Sequence, residues 1–166
     1  MKIETYKIKG WKEKLSGLLI DENDEWILVK HIPVDYVVDG FTLYRKKFLK
    51  SRKPHKKAEI TSRVLKLKEI KIEKPIGFEF KDVLGLLKWS EDKYGLFEFK
   101  DDPEDELFYG KISKMQGNNL IIDMILSNGD TEKEYDFEFE LDRIRTITFE
   151  SDYFTSIILL MNNYKN

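Results

Sequence analysis

Short apolar runs, each closed by a polar turn, recur about every ten residues at both ends of this chain, and that rhythm limits the fold more than any other feature. Leu15-Ser-Gly-Leu-Leu-Ile20 stops at Asp21-Glu-Asn-Asp-Glu25. Trp26-Ile-Leu-Val29 continues toward His31 and Val34, and Asp39-Gly40 opens Phe41-Thr-Leu-Tyr44. Beyond residue 92 the rhythm returns. Leu96 to Phe99 is followed by a turn at Asp101–Glu106 and then by Leu107 to Ile112. Gly117-Asn118 precedes Leu120 to Leu126, which ends at Asn128-Gly129. Gly and Asn accept the positive φ that tight hairpins demand, so these dipeptides predict antiparallel hairpins. Tyr135 to Leu141 alternates, with Tyr135, Phe137, Phe139 and Leu141 on one face and Asp136, Glu138, Glu140 and Asp142 on the other, which predicts a strand. Ile144, Ile147 and Phe149 extend it, and Tyr153 to Met161 reads as the last strand.

The middle of the chain follows another period. Ile60, Val64, Leu65 and Leu67 fit helical spacing between Ala58 and Ile70, although Leu65-Lys-Leu-Lys68 also alternates. Phe80 to Lys88 reads as a second amphipathic helix with Val83, Leu84 and Leu87 inward. The predicted class is mainly β with a helical linker (α+β), built as a basic barrel over residues 1–55, a linker over 56–91 and an acidic barrel over 92–166. A duplicated unit is the simplest account. Gly17-Leu-Leu-Ile then Trp26-Ile-Leu-Val lies over Gly110-Lys-Ile-Ser then Leu120-Ile-Ile-Asp, and one small unit alone buries only a modest core.

The second half also carries a resemblance. Gly110, Ile112, Met115 and Asn119-Leu-Ile-Ile follow the order of the first signature of the Sm-like small β-barrels, the fold of RNA-associated ring proteins. Gln116 stands where that signature has aspartate. Ile144-Arg145-Thr146 resembles the second signature with its glycine absent. In the first half Gly17 is kept, and Trp26 occupies the place of the asparagine. The resemblance implies two tandem Sm-like five-stranded small barrels, assembly through edge strands, and an RNA role for Asn119 and Arg145.

Charge supplies the clearest functional expectation. Residues 1–74 carry 19 Lys and Arg against 11 Asp and Glu; residues 75–166 carry 10 against 20. The formal total of −2 therefore hides a basic half and an acidic half. No acid lies between Asp39 and Glu59, a span that holds Arg45, Lys46, Lys47, Lys50, Arg52, Lys53, Lys56 and Lys57 besides His55. Cations so concentrated neutralise phosphates and release their counterions, which is the source of sequence-independent nucleic-acid affinity. Phe41, Tyr44 and Phe48 stack bases if they face outward; otherwise the lysines guard a sheet edge and the rings fill the core. RNA or another polyanion is the expected partner. The alternative is a protein-interaction or self-assembly module, with basic and acidic faces pairing between copies.

The remaining classes find less support. The chain has no cysteine and two histidines, so no disulfide, thiol nucleophile or Cys-ligated metal is expected. Side chains two apart on a strand, as in the Asp136–Asp142 ladder, lie about 7 Å from one another, too far for a compact calcium cage. Asp101 to Glu106 lacks the glycine and distal glutamate of a calcium loop. No P-loop, Rossmann, nucleophile-elbow or zincin motif occurs, which leaves a hydrolase with an unrecognised carboxylate pair as the weakest reading. No cofactor, metal site or catalytic residue is expected. Met1 to Gly10 has no signal-peptide core, and the Ile157–Met161 run is too short for a bilayer, which predicts a soluble, cytoplasmic protein.

Overall fold

The computed structural model describes residues 1–163. Its class is α+β and mainly β. The chain divides into two compact units, Met1–Glu79 and Phe80–Asn166.

The first unit is an antiparallel sheet of β1 (Ile3–Ile8), β2 (Lys14–Glu22), β3 (Trp26–His31), β4 (Phe41–Arg45) and β5 (Leu49–Pro54), followed by helix α1 (Ala58–Leu67). Consecutive strands pair as hairpins from β1 to β4. A 3₁₀ turn over Lys46–Phe48 then reverses the chain, so that β5 returns to the free side of β1. The spatial order is β4-β3-β2-β1-β5. The two faces of β1 have different fates, because side chains alternate along a strand. Tyr6 and Ile8 enter a core with Trp11, Ile27, Val29 and Tyr44. Ile3 points the other way, where Leu18, Ile32 and the α1 residue Leu65 bury it. The helix predicted from Ala58 onward forms, with a different inward face. Thr61 and Leu65 are buried, while Ile60 and Leu67 are 47% and 79% exposed.

The second unit repeats this order. Helix α2 (Val83–Tyr94) precedes β6 (Phe97–Lys100), β7 (Phe108–Gln116), β8 (Asn119–Ile125), β9 (Thr131–Glu132), β10 (Phe139–Glu140) and β11 (Thr146–Phe149); helix α3 (Asp152–Asn163) follows. The short β9 and β10 both pair with β8, a 3₁₀ turn over Leu141–Arg143 follows, and β11 returns to β6. The parallel between units reaches single residues. Gly17 precedes a bulge between Leu19 and Asp21, and Gly110 precedes one between Ile112 and Lys114. Leu19 faces Val29 and Ile112 faces Ile122, which places Trp26 and Asn119 at equivalent positions.

Three elements differ from the sequence reading. Tyr153–Met161 lies in a helix, α3. Ser151 accepts a hydrogen bond from the Phe154 amide at 3.1 Å, a helix-capping contact, and Phe154 and Ile157 turn inward three residues apart. The alternating segment 135–141 is not one strand: only Phe139–Glu140 pairs in that segment. Glu134 has φ +46°, and the Phe137 amide donates to the Tyr135 carbonyl at 2.7 Å, so the chain kinks before β10. The acidic ladder is therefore not a ladder. Its apolar partners cluster instead, Phe139 meeting Phe99, Phe108 and Phe137 at ring separations of 4.6–5.0 Å. Finally, α2 starts three residues later than predicted, where Asp82 accepts from the Gly85 amide at 2.8 Å and caps it.

Candidate anion-binding groove

The exposed part of the first sheet is set by register. On the face that carries Ile3, β1 continues with Thr5 and Lys7, and β2 runs Leu18, Ser16, Lys14 opposite them. Ser51 and Lys53 of β5 flank the same two β1 residues on the other side. Helix α1 covers the Ile3–Leu18 row through Leu65 and leaves the next two rows open. The result is a groove of about 380 Å³ lined by Thr5, Lys7, Lys14, Ser16, Ser51, Lys53, Pro54, His55 and Lys56. That volume falls in the range of small-molecule sites.

Its lining holds four lysines, one histidine, three hydroxyls and no carboxylate. Lys7 and Lys14 stand directly opposite each other, an arrangement that costs stability in a sheet. The Lys7 ammonium donates to the Lys12 carbonyl. The three lysines Lys14, Lys53 and Lys56 are exposed. His55 Nδ1 accepts from the Lys57 amide at 3.1 Å, which leaves Nε2 as the ring's donor nitrogen.

The basic run predicted as one field divides by strand parity. Arg52 faces away from the groove. Its Nε donates to Glu4 at 2.9 Å and its Nη1 to Glu22 at 2.6 Å, beside a Tyr6 hydroxyl that also donates to Glu4. Glu4 is buried, and this network keeps its charge compensated. Lys46 lies 2.9 Å from Glu22, whose carboxyl is lowered to about 2 by hydrogen bonds from Arg52 and Lys46. Burial, and then the Glu4 contact, push the Tyr6 phenol far above its ordinary range. Arg45 is buried, 3.0 Å from Glu25 and over the Trp26 ring. Lys47 sits over the Phe48 ring, Lys50 is exposed at the β5 bulge, and Lys57 lies 3.6 Å from Asp35. Of the eight cations, Lys53 and Lys56 reach the groove. Of the two placements open to the aromatics, the core is the one found: Phe41 and Tyr44 are buried, and Phe48 packs against the core.

Asn119 and Arg145 belong to the second unit and are engaged with acids. The Asn119 amide donates to Glu138 at 2.8 Å, and Arg145, largely buried, pairs with Asp102. Arg143 reaches the same Asp102 at 3.3 Å, so the acidic 101–106 turn anchors β11. Burial raises the Asp101 carboxyl above its ordinary range.

No family model, curated protein or solved structure matches this chain. The site therefore rests on its own geometry. Among the described residues, no group of three or more His, Asp and Glu side chains is placed to hold a metal ion, and no helix is long and apolar enough to cross a membrane.

Lys7, Lys14, Thr5, Ser16 and Ser51 escaped the sequence reading, which followed the density of charge along the chain. For the four residues of β1 and β2 the signal was present in two short patterns, Ile3-x-Thr5-x-Lys7 and Lys14-x-Ser16-x-Leu18. Each passes from an apolar residue through a hydroxyl to a lysine on one parity.

Proposed function

We propose that the protein binds polyanions, RNA foremost, by holding backbone phosphates in the groove of the first unit. The observation that carries this reading is a concave site with four lysines and three hydroxyls but no acid in its lining. Ammonium groups supply the counterion-release affinity, and hydroxyls and the His55 ring add short-range donors to phosphate oxygens. With no Phe, Tyr or Trp in the lining, recognition is of the sugar–phosphate backbone and tolerates any base.

We further propose that each unit is a divergent Sm-like small barrel and that the pair arose by duplication. The reading is supported by the shared strand order, the 3₁₀ turn before the last strand of each unit, and the matching glycine-and-bulge step. The RNA role that the resemblance implied for Asn119 and Arg145 is not retained, because both side chains are held by carboxylates.

The test is a titration of labelled single-stranded RNA at 50 and 200 mM salt, with wild type and the K53Q/K56Q variant. The expected result is salt-sensitive binding that the variant weakens at least tenfold. Absence of binding by the wild type at the lower salt overturns the reading.

A further inference from the structure

Resting on the anion-binding reading above, we propose that the groove is a two-phosphate site: its two cationic ends each take one phosphate, and the hydroxyls between them face the connecting sugar. The ligand is a nucleoside flanked by two phosphates, free or as one link of a strand.

The pairing register places six lining residues on a grid of three strands and two rows. One row reads Lys14, Lys7, Ser51 across β2, β1 and β5; the next reads Ser16, Thr5, Lys53. Lys14 and Lys53 therefore occupy opposite corners, with Lys7 on the central strand beside Lys14. Lys7 and Lys53 are diagonal neighbours, and such neighbours lie about 7–8 Å apart in an antiparallel sheet.

Long lysines can converge on one anion, but here they are drawn apart. The Lys7 ammonium is bonded to the Lys12 carbonyl, in the loop that joins β1 to β2, beyond the Lys7–Lys14 end of the grid. Lys53 lies toward the opposite end, where Pro54, His55 and Lys56 complete the lining. Thr5, Ser16 and Ser51 take the remaining grid positions, Ser51 beside Lys7 and the other two in the Lys53 row, so hydroxyls flank the diagonal from Lys14 to Lys53. A cation pair at one end and a second cationic end at the opposite corner match the two phosphates, and the hydroxyls that flank the diagonal between them match the connecting sugar. One phosphate alone satisfies a single end and leaves the other end's like charges uncompensated. The Lys7–Lys14 opposition is then the feature that a second phosphate relieves.

The experiment is isothermal titration at low salt of thymidine 5′-monophosphate, thymidine 3′,5′-bisphosphate and a ten-residue oligothymidylate, each with wild type, K14Q and K53Q. The wild type is expected to bind the bisphosphate at least tenfold more tightly than the monophosphate. Each variant, reduced to one competent end, is expected to shrink that ratio to about two. Lys14 is chosen over Lys7 because its ammonium has no hydrogen-bonding role in the hairpin; near-ultraviolet circular dichroism of the buried Trp26 checks the fold. Oligothymidylate binding much tighter than the bisphosphate identifies a strand as the source of the two phosphates, and equal binding identifies the free bisphosphate; both support the site. Equal wild-type affinity for monophosphate and bisphosphate, or an unchanged ratio in both variants, overturns the two-phosphate arrangement and leaves anion binding standing. Failure of all three ligands to bind overturns both.

Discussion

Arg52 and Lys53 are adjacent cations of one run, and a pleated strand sends them to opposite faces, Arg52 to Glu4 and Lys53 to the groove lining. Arg52 compensates Glu4, a buried carboxylate whose other contacts are the Tyr6 hydroxyl and the mostly exposed Lys2. Removing one partner of a buried pair leaves charge without compensation, at a cost of several kcal/mol. R52A is therefore expected to lower unfolding stability by about 3 kcal/mol in urea titration, whereas K53A stays within about 0.5 kcal/mol and weakens anion binding severalfold. An equal effect of the two on stability would contradict the division. Glu22 gives the same network a pH dependence. Its carboxyl, lowered from 4.5 to about 2, binds protons less readily folded than unfolded. The stability it contributes is complete above about pH 4.5 and is lost as pH falls toward 2. E22Q should lose that share at neutral pH and show a flatter acid limb in the same titration. The effect is held to about 1 kcal/mol or less, because water screens a pair this exposed. Composition alone could find the run of cations. It could not separate Arg52 from Lys53, since that depends on which face of β5 meets Glu4.

Legibility at the scale of elements followed the source of each signal. The β2–β4 hairpins and the Asn128-Gly129 turn were readable because turn chemistry is local. Helix α3 was not: its β-branched and aromatic residues favour a strand by propensity, and the deciding features were the Ser151 cap and the inward pair Phe154 and Ile157. The 135–141 segment failed for the converse reason, since a clean alternation was overridden by aromatic clustering around Phe139. The glycine of the duplicated pattern has a steric explanation. A Cβ at Gly17 would lie 2.6 Å from Val29 Cγ2, and one at Gly110 would lie 2.9 Å from the Asp123 carbonyl oxygen. Each glycine thus lets two strands approach. G17A is expected to cost about 2 kcal/mol, in the range of overpacked cores. Adding V29A removes Val29 Cγ2 and leaves Val29 Cβ, 2.7 Å from the same point, so the overlap is relieved in part. The double variant should therefore be more stable than the sum of the two single losses by about 1 kcal/mol in a mutant cycle. Additive losses would mean that the overlap lies with Val29 Cβ and the Lys30 carbonyl oxygen rather than with the valine methyl.

For the whole molecule, the near-neutral total is a poor guide to anion affinity. The first unit has 19 basic and 12 acidic residues and the second 10 and 19, so the sum of −2 averages two opposite fields. Screening confines the influence of an exposed charge to about 8 Å at physiological salt, so what a phosphate senses is the groove lining rather than the total. This can be separated from a net-charge effect by two substitutions that change the total identically. Lys53 lines the groove, and Lys88 is exposed on α2 in the acidic unit. K53Q should weaken oligonucleotide binding severalfold and lower the salt slope of log K by about 0.7, the share of one lysine on a single strand. K88Q should leave both unchanged. Equal losses from the two would assign binding to diffuse attraction rather than to the groove. An unchanged slope in K53Q, with affinity reduced, would mean that Lys53 shapes the groove without neutralising a phosphate.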